Sequence, residues 1–398
     1  MKNDALHGHL VWAEVDLGAI AHNVSELRRV TRPQARFMAV VKANAYGHGA
    51  VPVAQTALAA GADWLGVARI DEAIDLRQSG ITAPILVLGY TPAQRAGALI
   101  DHDIAACVYD FETARAYADE AMGRNAVVNA HLKVDTGMGR LGLDTRFTDM
   151  SPTGKFTGAG VWGLRQVESM ANLPGLRIQG IFTHLASADH ADKSFARQQL
   201  ERFDDYRQRL RMMGLDIPMA HAANSAAIID LPESHLDMVR AGIAMYGLAP
   251  SVETGRETVC LTPAMALKTR IVQVKQVPAG FAVSYGSTHV TAHPTVVATV
   301  AAGYADGYSR RFSNQGRMLV RGCPVPVIGR VCMDLTMLDV GRVADAAIGD
   351  DVVIFGAQGG KRIGAEDLAD QLGTIGYEVL TAVAARVPRV YLNGGKDR

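Results

Sequence analysis

The sequence predicts a (β/α)8 barrel followed by a mostly-β domain, and three observations carry this prediction. From residue 37 to residue 240, short apolar runs alternate with amphipathic segments, the pattern of a parallel sheet with crossover helices. Counted from residues 37–41, the apolar runs number about eight, which is the number that closes a barrel. Near Pro250 the texture changes to short alternating strands separated by Gly and Pro. The alternation alone also permits a doubly wound open sheet. No Gly-rich dinucleotide fingerprint opens an early helix, which weakens that alternative.

Taken in order, residues 10–15 read as a short strand. Asp16 then caps a helix whose apolar face is Leu17, Ile20, Val24 and Leu27. Strands are predicted at 37–41, 64–68, 85–88, 104–109, 127–134, 176–185, 217–222 and 237–240. Helices are predicted at 51–60, 71–79, 92–100, 112–122 and 195–213. Residues 148–161, rich in Gly and Thr, read as a loop insertion. Beyond Pro250, Val272 and Val274 alternate with Gln273 and Lys275 inside a strand at 266–277. Strands at 295–301, 318–321, 325–328, 337–340 and 352–355 continue the β region, and a helix at 365–371 and a tail at 382–391 close it.

A chain of 398 residues is too long for one ordinary core, so two domains are expected. Its 40 Lys+Arg balance 40 Asp+Glu, which argues against a nucleic-acid or anionic-membrane partner that depends on bulk charge. No apolar run reaches the length of a membrane span, and the N-terminus lacks the apolar core of a signal peptide. Cys107, Cys260, Cys323 and Cys332 have neither metal-type spacing nor the density of a disulfide framework. The expectation is a soluble cytoplasmic protein with no metal.

The chemistry centres on Lys42, at the end of the first barrel strand. A lysine there must find a partner or lose its charge, and a tuned neutral amine suits Schiff-base chemistry. In a barrel the working residues gather at the C-terminal ends of the strands. Lys133 and Asp135 fall near the end of the fifth strand and His184 near the end of the sixth. His221, Asn224 and Ser225 follow the seventh, and Arg240 ends the eighth. The N–H groups of Gly242 and Ile243 with the Ser225 hydroxyl suit a phosphate at a helix N-terminus. A lysine amine and a phosphate site together suggest pyridoxal phosphate.

These residues resemble the alanine racemase family over nearly the whole chain. The resemblance rests on residues 41–49 (Val-Lys-Ala-Asn-Ala-Tyr-Gly-His-Gly), 133–140 (Lys-Val-Asp-Thr-Gly-Met-Gly-Arg), 221–225 (His-Ala-Ala-Asn-Ser), 283–286 (Val-Ser-Tyr-Gly) and 329–334 (Gly-Arg-Val-Cys-Met-Asp), between residues 13–16 and the Arg-Val-Pro-Arg at 386–389. It implies a TIM-type barrel at 15–255, a C-terminal β domain at 256–398, and an N-terminal strand within 1–14 that packs with the latter. It implies that Lys42 carries pyridoxal 5'-phosphate and works as acid or base on one face of alanine, with Tyr285 on the other. Arg240 would bond the pyridine nitrogen, with His184 and His221 orienting it. Tyr46, Asn224, Ser225, Gly242 and Ile243 would serve the cofactor, chiefly its phosphate. Arg140 and Met333 would bind the substrate carboxylate, Lys133 (carbamylated in some members) would position Arg140, and Tyr304 would narrow the entrance. Family members are homodimers in which Tyr285 and Met333 reach the other subunit's site, and D-alanine supplies peptidoglycan. One position departs: Ala385 stands where the family commonly has a tyrosine. That departure supports an alternative, a broader racemase acting on serine or lysine. A non-enzymatic pyridoxal-phosphate carrier fits less well, because such carriers resemble the barrel alone.

Overall fold

The computed structural model describes residues 8–145, 159–255 and 257–393. The chain divides into two compact units. One comprises Ala19–Ala45 and Ala50–Thr262; the other comprises the described residues of Met1–Gly18, Tyr46–Gly49 and Pro263–Arg398. The first strand, β1 (Val11–Asp16), belongs to the second unit.

The barrel unit carries β2 (Arg36–Val40), β3 (Trp64–Val67), β4 (Ile85–Val87), β5 (Ala106–Val108), β6 (Val128–Asp135), the two-residue β7 (Leu143–Asp144), β8 (Leu176–Phe182), β9 (Met219–His221) and β10 (Met238–Ala241). Two parallel ladders form, β10-β2-β3-β4 and β5-β6-β8-β9. A parallel bridge between Leu86 and Ala105 joins them at one seam. At the other, Asp237 N–H donates to Ala220 O at 3.0 Å and Arg240 N–H to Ala223 O at 3.1 Å. Eight parallel strands thus close into a ring, as expected, and no open-sheet edge remains between these ladders. Met38, Trp64, Leu86, Ala105 and Met238 fill part of its interior. Gly66 on β3 leaves them room, since a Cβ there would lie 2.8 Å from Met38 Sδ.

Several elements differ from the sequence expectation. Residues 148–158 of the expected loop lie outside the described residues, but 159–161 open a helix, Ala159–Ala171. Its buried Leu164, Val167 and Met170 recur every third residue, a short signal next to the Gly- and Thr-rich stretch. The helices Ser225–Asp230 and Gly376–Thr381 were not expected either, because six residues hold too few turns to display a period. The helix expected at 92–100 is a 3-10 turn, Ala93–Arg95, running into Ala96–Asp101. Asp16 stands directly before the helix Leu17–Val30, at the position expected for its cap; it is also the last residue of β1, and its carboxylate accepts Asn393 Nδ2 at 3.0 Å.

The second unit continues with β11 (Met265–Val277), β12 (Ala282–Val283), β13 (His289–Val290), β14 (Thr295–Val300), β15 (Arg317–Val320), β16 (Cys323–Pro326), β17 (Thr336–Asp339), β18 (Asp351–Gln358), β19 (Lys361–Ile363) and β20 (Arg389–Leu392). Its main sheet runs β16-β15-β18-β11-β1-β20, with β14 bridging β11 to β17 and β19 on β18. β1 is antiparallel to β11 and parallel to β20. In β11, Met265, Leu267, Thr269 and Ile271 are buried while their neighbours are half-exposed, the alternation of a strand with one core face. Val277, Val283, Val297 and Ile328 form a second small core. Among the described residues no helix is long and apolar enough to cross a membrane.

Candidate functional site

Lys42 does not end a strand. β2 stops at Val40, and Ala43, Asn44, Ala45 and Tyr46 follow with φ of 51°, 53°, 53° and 52°. Each non-glycine residue in this left-handed helical region costs about 1–2 kcal/mol, so four in a row need outside support. Glu72 supplies much of it. Its Oε1 accepts Ala43 N–H at 2.6 Å, and its Oε2 accepts Ala68 N–H at 2.7 Å and Arg69 N–H at 3.1 Å. Asn44 Oδ1 accepts Ala50 N–H at 2.8 Å, which pins the far end of the turn. Burial pushes the Lys42 ammonium below its ordinary pKa, Arg140 pushes the same way, and Glu72 opposes them. The neutral, nucleophilic amine is therefore more populated than in a solvated lysine.

Beside it lies a buried cationic cluster around Arg240, which is 5% exposed. Arg240 Nη1 donates to His221 Nδ1 at 2.9 Å; Nη2 donates to Thr183 O at 2.7 Å and Ala222 O at 2.9 Å, and faces His184 Nδ1 at 3.4 Å. The Phe182 ring stacks on His221 with centroids 4.8 Å apart, and Lys133 Nζ lies 4.7 Å from the centre of that ring. Burial pushes Lys133 down to about 8, with Arg240, Arg140 and Lys42 adding to the effect. Burial pushes Arg240 down to about 9, which leaves it protonated at neutral pH. Burial and Arg240 hold His131 at about 3, and both His184 and His221 well below their ordinary value. The histidines are thus neutral, and the positive field that remains suits an anionic ligand.

A pH dependence follows. These histidines have folded pKa values below their unfolded value of about 6.5. The unfolded chain therefore binds more protons at acid pH, and stability rises with pH there. Thermal midpoints measured from pH 7 down to pH 5 should fall, steepening below about pH 6.5 by up to about 1.4 kcal/mol per pH unit per histidine. A midpoint that rises on acidification contradicts the neutral assignment.

Asp135, which ends β6, shapes the turn that carries Arg140. Its carboxylate accepts Gly137 N–H and Met138 N–H at 2.8 Å and Arg140 N–H at 3.1 Å. Ser225 Oγ accepts Gly242 N–H at 2.8 Å and Ala244 N–H at 3.3 Å. Both hydroxyl lone pairs are then used, and its O–H points elsewhere as a donor. Gly242 caps a helix N-terminus as expected, and that helix is a single 3-10 turn, Ile243–Tyr246. Asn224 is engaged in structure: its Oδ1 accepts Ala227 N–H at 3.1 Å as the cap of Ser225–Asp230, and its Nδ2 reaches Leu185 O at 3.4 Å. His221 lies within β9, not after it.

The barrel unit thus brings Lys42, Lys133, Arg140, His184 and Arg240 within electrostatic reach of one another. The second unit gathers Tyr285, Tyr304 and Met333. Tyr285, 73% exposed, follows Ser284, whose left-handed backbone (φ 64°) is held by a hydrogen bond from its Oγ to Arg330 O at 2.7 Å. Tyr304 N–H donates to Cys332 O and Ala305 N–H to Met333 O, both at 3.0 Å. Arg386 bridges Asp306 at 2.8 Å and Asp334 at 2.6 Å, which braces the Met333 loop. Ala385, exposed, sits immediately before it. Tyr46 falls in this unit, its ring 6.1 Å from that of Tyr377 and its hydroxyl pushed by burial up to about 12.

Sequence reasoning missed Glu72, Phe182, His131 and Gln199. Gln199 is fully buried: its Oε1 accepts Ala186 N–H at 2.8 Å and its Nε2 donates to His184 O at 3.1 Å. Glu72 falls inside the predicted helix at 71–79 and Phe182 inside the predicted strand at 176–185, and nothing in either neighbourhood announces their contacts.

The family model described as alanine racemase, N-terminal domain, matches residues 15–250, and that for the alanine racemase C-terminal domain matches 264–391. An alanine racemase of Desulfosudis oleivorans is 56% identical over 97% of this chain and 97% of its own length. Alanine racemase 2 of Caldanaerobacter subterraneus is 45% identical over 96% of this chain and 95% of its own. The crystal structure of alanine racemase from Bacillus anthracis with bound L-Ala-P superposes with a TM-score of 0.89 at 38% identity, covering 97% of this chain and 96% of that one. Both units are matched, at identities far above those at which only a fold is shared. The chain belongs to the alanine racemase family of amino-acid racemases.

Proposed function

We propose that this enzyme interconverts L- and D-alanine with pyridoxal 5'-phosphate held on Lys42, using Lys42 and Tyr285 as the two proton-transfer groups. The observation that carries the proposal is Lys42 itself, a half-buried lysine whose pKa is depressed by burial and by Arg140, in the unit that also holds the donor-only guanidinium of Arg240. The donor set suits the cofactor. An amine inclined to neutrality suits its aldehyde, Arg240 suits a ring nitrogen that accepts, and the remaining O–H of Ser225 suits its phosphate, with Tyr46 and Ile243 as further phosphate residues and Gly242 holding the Ser225 hydroxyl through its N–H. Asn224 contributes by capping the helix that begins at Ser225. Bound there, pyridoxal phosphate supplies a conjugated ring that withdraws electrons from the substrate α-carbon.

The chain's own residues do the rest. The Arg240 guanidinium keeps its proton, so it would leave a ring nitrogen facing it unprotonated and moderate electron withdrawal, which would favour reprotonation over side reactions. His184 and His221 hold Arg240 in place. Arg140 and the Met333 N–H take the substrate carboxylate, and Tyr304 narrows the entrance. Lys133, with a pKa near 8, has enough neutral amine to be carbamylated and so to fix Arg140. Lys42 exchanges the α-proton on one face and Tyr285 on the other, as inversion requires. The high exposure of Tyr285 in a single chain supports a homodimer in which Tyr285 and Met333 complete the partner's site. The same reading makes it a cytoplasmic enzyme that supplies D-alanine for peptidoglycan. The test is borohydride reduction of protein mixed with pyridoxal phosphate, then peptide mass mapping. The label should fall on Lys42, and a label elsewhere overturns the proposal.

Ala385 favours a second reading, a broader amino-acid specificity. A methyl where relatives commonly carry a phenol removes one phosphate donor and opens the pocket. Ala385→Tyr should tighten cofactor retention and lower the rates on serine and lysine relative to alanine. Unchanged retention together with unchanged rate ratios dismisses this reading.

A further inference from the structure

The Arg240–His221 contact does not end at His221. His221 Nε2 lies 2.8 Å from His131 Nδ1, and His131 Nε2 lies 3.4 Å from the side-chain amide of Gln179. His131 and His221 are both 0% exposed. We infer that Arg240, His221, His131 and Gln179 form a one-way hydrogen-bond chain, and that His131 and Gln179 are positioning residues that fix the aim of the Arg240 guanidinium.

The direction follows from the donor inventory. A guanidinium only donates, so His221 Nδ1 must present a lone pair. A neutral imidazole carries one N–H, which in His221 is then on Nε2 and donates to His131 Nδ1. His131 in turn carries its proton on Nε2. The Gln179 atom facing it must accept, so the amide presents its carbonyl oxygen; nitrogen and oxygen exchange places by a half-turn of the group. No other assignment satisfies all three contacts. A second proton on either ring would remove a needed lone pair, and the charged groups acting on the pair, Arg240 and Lys133, are both cationic.

The surroundings hold this arrangement in place. The Trp64 ring meets His131 edge-on with centroids 5.4 Å apart, and Phe182 stacks on His221 with an interplanar angle of 2°. Gly180 on β8 provides the space: a Cβ there would lie 2.3 Å from His131 Nδ1. Its φ is not positive, so the backbone tolerates alanine and the obstacle is the histidine ring. Without His131, the His221 Nε2–H would lose its acceptor and the ring would be free to turn over, which swings Nδ1 away from the guanidinium and frees the tautomer. Arg240 would then lose the acceptor that orients Nη1.

The inference rests on the reading of Arg240 as the cofactor's ring-nitrogen partner, and its test separates the two. Cofactor-free protein with 15N-labelled histidine is examined by long-range 1H–15N correlation at neutral pH. His131 and His221 should both show the Nε2–H tautomer with an unprotonated Nδ1. His131→Leu should abolish the single tautomer at His221. His131→Asn, whose Oδ1 takes the place of Nδ1, should restore it. With cofactor, kcat should fall about tenfold or more in His131→Leu while KM changes little, and should largely recover in His131→Asn. Gly180→Ala should resemble His131→Leu. Thermal midpoints identify any variant that fails to fold. If His131→Leu does, Gly180→Ala and Gln179→Leu carry the same comparison. An Nδ1–H or doubly protonated His221 in the wild type overturns the chain of bonds. A folded His131→Leu that keeps both kcat and the His221 tautomer overturns the positioning role. The tautomer arm needs no cofactor, so an inactive loaded enzyme counts against the proposed activity alone.

Discussion

Lys42→Ala should lose alanine interconversion by at least about 10²–10⁴-fold, the range associated with one positioned acid or base, and should lose covalent cofactor attachment as well. The two losses have one cause. Lys42 is the group whose amine burial and Arg140 drive toward neutrality, so no nearby side chain replaces it. Among the described residues, Lys133 is the other lysine held below its ordinary pKa, but it is 5% exposed and lies over the Phe182 ring. The fold should survive, because the hydrogen bonds that hold the turn run through Glu72, the Ala43 backbone and Asn44, and the Lys42 ammonium takes no part in them. The check is a chiral assay beside absorbance spectra and thermal melts. A Lys42→Ala protein that still binds cofactor covalently, or turns over within tenfold of wild type, removes Lys42 from its proposed role.

Tyr285→Phe should act on one face only. It deletes the hydroxyl of a side chain that is largely exposed in the single chain, so stability should barely change. Exchange of the α-proton with deuterated solvent should fall far more for L-alanine than for D-alanine, because Lys42 still serves the other face. Equal losses for both enantiomers contradict the face assignment. An unaffected exchange rate means that the phenol moves no proton.

Much of this was legible in the sequence, and the boundary has physical reasons. The barrel was legible because each buried strand is a short apolar run, and the sheet of β11 because period-2 alternation is long there. The residues at the strand ends were legible because a Lys, His or Arg at such a place needs explanation by its own chemistry. The left-handed turn after Val41 was not, since Ala43 and Ala45 carry no sign of positive φ. Nor was Glu72, whose partners are backbone N–H groups in two different loops. His131 sits in the middle of β6 and reads as core; only the fold shows that it faces His221, 90 residues away in sequence. Asn224, read as a cofactor residue, also caps the helix that begins at Ser225 through its side-chain oxygen.

The most direct test of the central claim is to incubate L-alanine with the protein and pyridoxal phosphate, follow both enantiomers by chiral chromatography, and run serine and lysine in parallel. The account predicts that D-alanine appears and approaches equal amounts with L-alanine, since enantiomers have equal free energy in water. Absence of D-alanine from a folded, cofactor-loaded enzyme contradicts it.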